Sequence, residues 1–250
     1  MRSFLTLARR ELAGYFLSLS GYIIIAATTF LVGQGFIVLI NALRDEVSPL
    51  PVTELFFIGQ SFWLIMILAT PVITMRLFAQ ERYSGTFETL MTTPVRDLTV
   101  VAAKFFAALV FYMVMWLPML ACLFVVQRYA RQSGALEPGA LGGLYLGILL
   151  IGGVFISLGC FASAITRNQT IAAMVTLVLS VSVFALSYLA RDAEAVATWQ
   201  AQVLARFSFF DQMHDFARGI VDTKVVVLYV TVTFFFLFLT LRAVESRRWR

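Results

Sequence analysis

The sequence predicts an all-α integral membrane protein with six transmembrane helices. Of its 250 residues, 60% are hydrophobic and only 13% are charged, whereas soluble domains carry roughly 25% charged residues. Six apolar stretches are long enough to cross a hydrocarbon core about 30 Å thick. The basic residues that give the net charge of +5 are scattered between these stretches, so a membrane explains them better than nucleic acid. We expect one membrane domain over residues 1–250 and no nucleic-acid partner.

The predicted spans, numbered one to six, leave few ionisable groups in the membrane. Arg76, close to the end of span two, is the deepest charged side chain. An ion-coupled secondary transporter usually carries ionisable residues at mid-membrane, so this class remains only as an alternative. The six spans cover residues 21–43, 55–79, 104–127, 141–165, 169–190 and 224–242.

The charges between the spans predict the orientation. Six spans place both termini on one side of the membrane, together with residues 76–104 and 166–168. The segments on this side carry twelve basic and five acidic residues, against seven basic and nine acidic residues on the other side. Basic residues are enriched in cytoplasmic loops. We therefore expect a multi-pass protein of the bacterial inner membrane with both termini in the cytoplasm.

Residues 1–20 have the periodicity of an amphipathic helix but are too polar to cross the membrane. Apolar side chains recur every three or four positions, and arginines lie opposite them. This pattern is typical of a helix lying in the membrane interface, with its arginines among anionic headgroups. The alternative is a charged lead-in to span one. The residues predicted to form the interfacial helix are Phe4, Leu5, Ala8, Arg9, Arg10, Leu12 and Phe16.

The cytoplasmic loop between spans two and three contains a second amphipathic segment. Ser84 can cap a short helix, Glu88 lies near its positive N-terminal end, and Pro94 ends it after about two turns. Phe87 and Leu90 then share one apolar face. Such a helix can dock into a groove on a cytoplasmic partner, or it can rest its apolar side on lipid headgroups.

The residues in and around this loop resemble those of the ABC-2 type permeases. The resemblance runs from Pro-Val-Ile-Thr-Met-Arg at 71–76, through Glu81, to Gly-Thr-Phe-Glu-Thr-Leu-Met-Thr-Thr-Pro-Val at 85–95. It is particularly similar to the gliding-motility-associated permeases (GldF-like), from which Thr89 and Met91 depart mildly. Gly21-Tyr22, Asn168-Gln169 and residues 216–223 extend the similarity over nearly the whole chain.

This resemblance implies a permease subunit of an ABC transporter, with the short helix acting as a coupling helix in a cleft of the ATPase subunit. It also implies two ATPase copies holding ATP and Mg, a second permease copy or related permease, an accessory membrane protein with a periplasmic domain, and contact with membrane lipid. The chain itself would be non-catalytic and bind no cofactor. The implied coupling residues are Glu81, Arg82, Gly85, Thr86, Phe87, Glu88, Leu90, Met91, Thr92, Pro94 and Val95, with a smaller contact at Arg167.

Two absences from the sequence favour the same interpretation. No G-x-x-x-x-G-K-[ST] string is present, so we expect the phosphate-binding loop of an ATPase on a separate chain. Cys122, Cys160 and the single His214 have no metal-ligand spacing, so no metal site is predicted. A membrane-embedded lipid-modifying enzyme remains an alternative, with His214 beside Asp211, Asp215 and Asp222 as its candidate residues.

The long outer segment 191–223 repeats apolar residues every three or four positions, which predicts an amphipathic helix interrupted near Ser208. By resemblance, this region forms a re-entrant outer gate that closes the pathway; a helix lying flat on the outer surface is the alternative. The predicted gate residues are Trp199, Phe207, Phe210 and Phe216.

Span four carries small residues at four-residue spacing, which allows close helix approach. This spacing is compatible with packing either between two subunits or within one. The pairs are Gly143/Gly147, Gly153/Ser157 and Gly159/Ser163.

Overall fold

A computed structural model describes residues 2–45, 56, 60–85, 96–129, 138–193 and 208–246, and the regular structure in this part of the chain is entirely α-helical. Within it, six stretches are long and apolar enough to cross a membrane, which confirms the predicted all-α membrane architecture. The helices are α1 (Arg2–Phe16), α2 (Leu19–Asp45), α3 (Gln60–Thr74), α4 (Ala79–Tyr83), α5 (Asp97–Met115), α6 (Leu117–Tyr129), α7 (Pro138–Ile165), α8 (Gln169–Ala193), α9 (Phe209–Ala217) and α10 (Thr223–Glu245).

A turn at residues 17–18 separates α1 from span one, which is α2. The Ser18 hydroxyl accepts a hydrogen bond from the Gly21 backbone N–H at 3.2 Å and donates one to the Tyr15 carbonyl at 3.0 Å. Ser18 thereby caps the start of α2. A Cβ atom at position 21 would collide with the Tyr15 carbonyl, so this close approach requires glycine.

Span three is built from two helices, α5 and α6, with a break at Trp116. Pro118 lacks a backbone N–H, and its ring crowds the carbonyl four residues earlier, so a continuous helix is disfavoured here. The Tyr145 hydroxyl of span four donates to the Trp116 carbonyl at 3.1 Å and supports the break. The helix also begins seven residues before the predicted span, at Asp97, which places Lys104 about two turns inside it.

Span four, α7, lies at the centre of the bundle and packs against α3, α4, α5, α8, α9 and α10. Its small residues permit these contacts. A Cβ at Gly152 would collide with the Tyr112 ring, one at Gly159 would collide with the Thr74 side chain, and one at Gly143 would approach the Phe216 carbonyl. All these neighbours belong to the same chain. The glycines of span four at these positions therefore pack helices within one subunit.

The peripheral spans α2, α8 and α10 expose large apolar side chains. Only 11% of the residues in the apolar 18-residue stretch of α10 are buried, compared with 83% in the corresponding stretch of α7. Phe30, Val178 and Phe234 are each more than 60% exposed. In water these surfaces would be unfavourable, so they belong against lipid or another membrane subunit.

Candidate functional site

The N-terminal helix α1 packs along α5, the first half of span three. The Phe4 and Phe106 rings meet edge to face at 5.9 Å between centroids. At the C-terminal end of α1, the Tyr15 ring stacks on the Phe111 ring at 4.8 Å between centroids, and the Phe16 ring contacts the same ring at 5.5 Å. Such aromatic pairs add stabilisation beyond their buried area. Helix α1 is therefore attached to a membrane span along most of its length.

The remaining residues of the predicted interfacial helix point in several directions. Leu5 is 63% exposed, and Arg9 and Arg10 are exposed as well, whereas Ala8 and Leu12 are half-buried. The apolar side of α1 is thus divided between contact with span three and an outward surface. The outward Leu5 and the arginines fit a membrane interface, and that location stays a prediction.

Lys104 connects three segments that are distant in sequence. Its Nζ atom lies 2.8 Å from Glu11 Oε1 on α1 and 2.8 Å from Glu81 Oε1 on α4. The lysine side chain is 3% exposed, and the two carboxylate side chains retain 18% and 17% exposure. We call this cluster, with the hydrogen-bonded residues around it described below, the junction.

The environment of Lys104 makes its two ion pairs structurally important. Its ammonium group also lies 5.5 Å from the centroid of the Phe78 ring, a cation–π distance. Removing a charge from water costs several kcal/mol, and this cost is offset only when the partners remain in place. The ammonium group therefore favours conformations in which Glu11 and Glu81 both stay close.

A serine of span four closes the gap between α3 and α4. Ser163 Oγ accepts hydrogen bonds from the backbone N–H groups of Phe78 and Ala79, each at 3.1 Å. It also lies 3.4 Å from the Met75 carbonyl, to which its hydroxyl donates. The amides that begin a helix and the carbonyls that end one have no partner within the helix. Ser163 supplies partners to both helix ends from a third helix.

Two further hydrogen bonds link the end of span two to the connection between α1 and α2. The Tyr15 hydroxyl donates to the Ile73 carbonyl at 2.8 Å, and the Arg76 guanidinium donates to Ser20 Oγ at 2.5 Å. Burial raises the pKa of Tyr15 well above its ordinary value, so the phenol remains a protonated donor. Spans one, two, three and four and helix α1 therefore meet in the junction.

The structure describes part of the predicted coupling segment. Glu81 and Arg82 are half-buried, whereas Gly85 and Arg167 are exposed. Gly85 has a φ of 72°, a left-handed conformation that glycine adopts readily and that ends the helical turn after α4. Residues that lie outside the described part of the chain are Thr86, Phe87, Glu88, Leu90, Met91, Thr92, Pro94 and Val95.

Helix α9 begins at Phe209, directly after the predicted interruption at Ser208, and packs on span four. The Phe210 ring lies 4.4 Å from the Trp63 ring of span two and 5.2 Å from the Phe184 ring of span five, measured between ring centroids. Phe216 is buried and lies 6.5 Å from Tyr229 of span six. Two predicted gate residues thus join four spans at one end of the bundle. Trp199 and Phe207 lie outside the described residues.

Two of the three acidic residues considered for catalysis, Asp211 and Asp222, have structural partners. Asp211 accepts a hydrogen bond from Ser208 at the start of α9, and Asp222 accepts one from the Lys224 backbone N–H at 2.9 Å and caps α10. The Asp222 contact is typical of a helix N-terminus. Among the residues that the structure describes, no group of three His, Cys, Asp or Glu side chains could hold a metal ion.

Among the members of the junction that sequence reasoning missed are Glu11 and Ser163, and it treated Lys104 only as a cytoplasmic charge. A usable signal was present for the lysine. Starting the helix at Asp97 places a lone cation among apolar residues, and a cation in that position requires an acidic partner. The identity of the partners carries no local signal, because Glu11 is 93 residues away.

The comparison with protein families agrees with this architecture. A family model described as ABC-2 family transporter protein matches residues 48–242, well over half of the chain. The match covers spans two to six and therefore most of the junction. No curated protein matches the sequence. The chain belongs to the ABC-2 family of transporter membrane proteins.

Proposed function

We propose that this chain is the permease subunit of an ABC transporter, that its ATPase is a separate polypeptide, and that the junction passes movement of the ATPase to the membrane spans. Membership of the ABC-2 family supports the permease role. The observation that carries the coupling role is the contact of one buried ammonium group with Glu11 and Glu81. Helix α4, which bears Glu81, leads directly into the segment that resembles a coupling helix.

The geometry of the junction supports a specific route for the movement. Residues 86–95 follow α4 and precede α5, and Glu81 and Lys104 on those two helices are directly bonded. A force on the segment therefore acts on spans two and three together. Glu11 would carry the displacement to α1, and Ser163 would carry it to span four. ATP and Mg belong to the partner subunit, and this chain supplies only the mechanical connection.

The proposed assembly contains two permease subunits and two ATPases in a bacterial inner membrane, with both chain termini in the cytoplasm. The excess of basic residues on the terminal side supports this orientation. The GldF-like residues at 71–95 support a relative of the gliding-motility-associated permeases with an accessory periplasmic-domain protein. The aromatic, charge-poor spans are compatible with a lipidic or amphiphilic cargo, or with mechanical signalling without cargo.

Affinity purification in mild detergent tests the proposal. The wild-type chain should retain a polypeptide that contains a Walker-type phosphate-binding loop, and Glu88→Lys should reduce its recovery while membrane insertion is preserved. Lys224→Glu is a matched charge reversal at the exposed start of α10 and should leave recovery unchanged. Ion-gradient-driven transport by the purified chain alone, without any ATPase, would contradict the proposal and favour a secondary transporter.

A further inference from the structure

An apolar groove runs between α5 and α10, with α7 as its floor. Its volume is about 520 Å³, within the range of ligand-binding clefts. Thr233 contributes the only polar side chain among the described lining residues. The walls are formed by Leu98, Val101, Ala102, Phe105, Phe106 and Leu109 of α5, by Leu149, Leu150 and Gly153 of α7, and by Val230, Thr233, Phe234, Leu237, Phe238 and Leu241 of α10.

The groove has the length of one membrane leaflet. On α5 its lining runs from Leu98 to Leu109, and on α10 from Val230 to Leu241. Each stretch covers about 16 Å of helix axis, roughly half of a 30 Å hydrocarbon core. Leu98 lies at the start of α5 and Leu241 near the end of α10. The groove therefore starts at the membrane face that holds the chain termini and reaches the middle of the membrane.

The groove is open to its surroundings. Its rim residues Leu98, Phe106, Phe234 and Phe238 are each about half exposed or more, at 62%, 49%, 67% and 51%. A transmembrane helix of a partner would have to extend across the full hydrocarbon thickness, which the groove does not. An acyl chain from one leaflet fits both its length and its apolar walls.

A cationic group stands at the mouth of the groove. Arg242 follows the last lining residue, and its guanidinium lies 5.1 Å from the centroid of the Phe238 ring. One guanidinium nitrogen lies 2.9 Å from Glu245 Oε2, and the arginine side chain is 65% exposed. A guanidinium has five N–H donors, so it can bind a phosphate while keeping this partner. Arg96, exposed just before α5, adds a second positive charge on the same side.

We propose that this groove binds one anionic phospholipid from the leaflet on the side of the chain termini. One acyl chain lies between α5 and α10, and the phosphate binds Arg242. Charge complementarity selects an anionic headgroup, because basic pockets between membrane helices bind acidic lipids. The proposal does not depend on coupling to an ATPase, and its test needs no ATPase.

Native mass spectrometry of the purified chain in mild detergent measures this binding. Phosphatidylglycerol and phosphatidylethanolamine with identical acyl chains are added in parallel. We expect one retained phosphatidylglycerol per chain. Phosphatidylethanolamine has the same phosphate, but its ammonium group offsets that charge and is repelled by Arg242, so we expect its retention to be about tenfold weaker. Arg242→Gln should reduce phosphatidylglycerol retention to the phosphatidylethanolamine level. Glu245→Gln is the matched control: it breaks the same ion pair but keeps the cation, so retention should persist.

Groove-filling variants test the acyl-chain position. Ala102→Phe should lower retention of both lipids, whereas Ala121→Phe on the exposed side of α6 should lower neither. Gly153→Leu is a second filling variant, because a Cβ there meets nothing closer than the Thr233 hydroxyl at 3.5 Å. Unchanged phosphatidylglycerol retention in both filling variants would overturn the proposal. Equal retention of the two lipids by the wild type would overturn it as well. So would dissociation of a dimer by Ala102→Phe without lipid loss, which would assign the groove to a second copy.

Discussion

Replacing Lys104 by methionine is expected to destabilise the protein strongly. The substitution keeps most of the side-chain length but removes the ammonium group that lies 2.8 Å from both Glu11 and Glu81. Removing one partner of a buried ion pair costs about 3–5 kcal/mol. Because the two carboxylate side chains keep 18% and 17% exposure, water can partly solvate them, and we expect the lower end, about 3 kcal/mol.

Thermal unfolding in detergent, followed by tryptophan fluorescence, measures this cost. A loss of about 3 kcal/mol corresponds to a decrease of about 6–12 °C in Tm for a chain of this size. Lys224→Met removes the only other lysine, which lies exposed at the start of α10. This control should change stability by no more than about 0.5 kcal/mol.

A double-mutant cycle separates the ion pair from other effects of the substitution. Lys104→Met and Glu11→Gln should show an interaction energy of about 1–3 kcal/mol when combined. The variant Lys104→Met/Glu11→Gln/Glu81→Gln should recover much of the stability, since neutral replacements for buried ion pairs are often tolerated. An unchanged Tm in Lys104→Met together with strictly additive effects would refute a role of these contacts in holding the junction.

Three other predictions concern packing, the junction and the topology. Gly152→Ala should lower the free energy of unfolding by about 1–3 kcal/mol in thermal unfolding because its Cβ would meet the Tyr112 ring. Gly142→Ala, with open space around it, should be neutral or stabilising. Equal effects of the two substitutions would contradict the central position of span four. Ser163→Ala should lower the unfolding free energy by about 1–3 kcal/mol because it leaves buried backbone groups at the α3–α4 break without their partner. Ser163→Thr keeps the hydroxyl and should be more stable than Ser163→Ala. Equal stability of the two variants would contradict a role for the hydroxyl. Cysteines introduced at positions 90 and 200, in a background without native cysteines, should be labelled from the cytoplasm and from outside, respectively, and the reverse pattern would overturn the proposed orientation.

The membrane architecture is predictable because its signals are local. A run of about 20 apolar residues identifies a span wherever it packs, and the Asn168 and Asp222 caps mark the starts of α8 and α10. Periodicity alone likewise predicts α1 as a helix separate from span one. The predicted span three began later than the helix, at residue 104, because the polar first turn at Asp97 does not resemble a hydrophobic run.

The junction and the groove depend on contacts between distant parts of the chain. Ser163 meets the start of α4 across 84 residues, and Lys104 meets Glu11 across 93 residues. A helix that is apolar all round does not reveal which side faces protein and which faces lipid. For this reason the sequence could not predict the groove between α5 and α10, or decide whether the glycines of span four pack within or between subunits.

The ATPase rate of the purified permease–ATPase complex in lipid vesicles tests the proposed coupling most directly. The complex should hydrolyse ATP faster than the isolated ATPase, and Glu88→Lys should abolish this stimulation while the permease remains folded and inserted. Lys224→Glu, the matched charge reversal, should leave the stimulation unchanged. Wild-type stimulation in the Glu88→Lys complex would contradict coupling through the segment between α4 and α5.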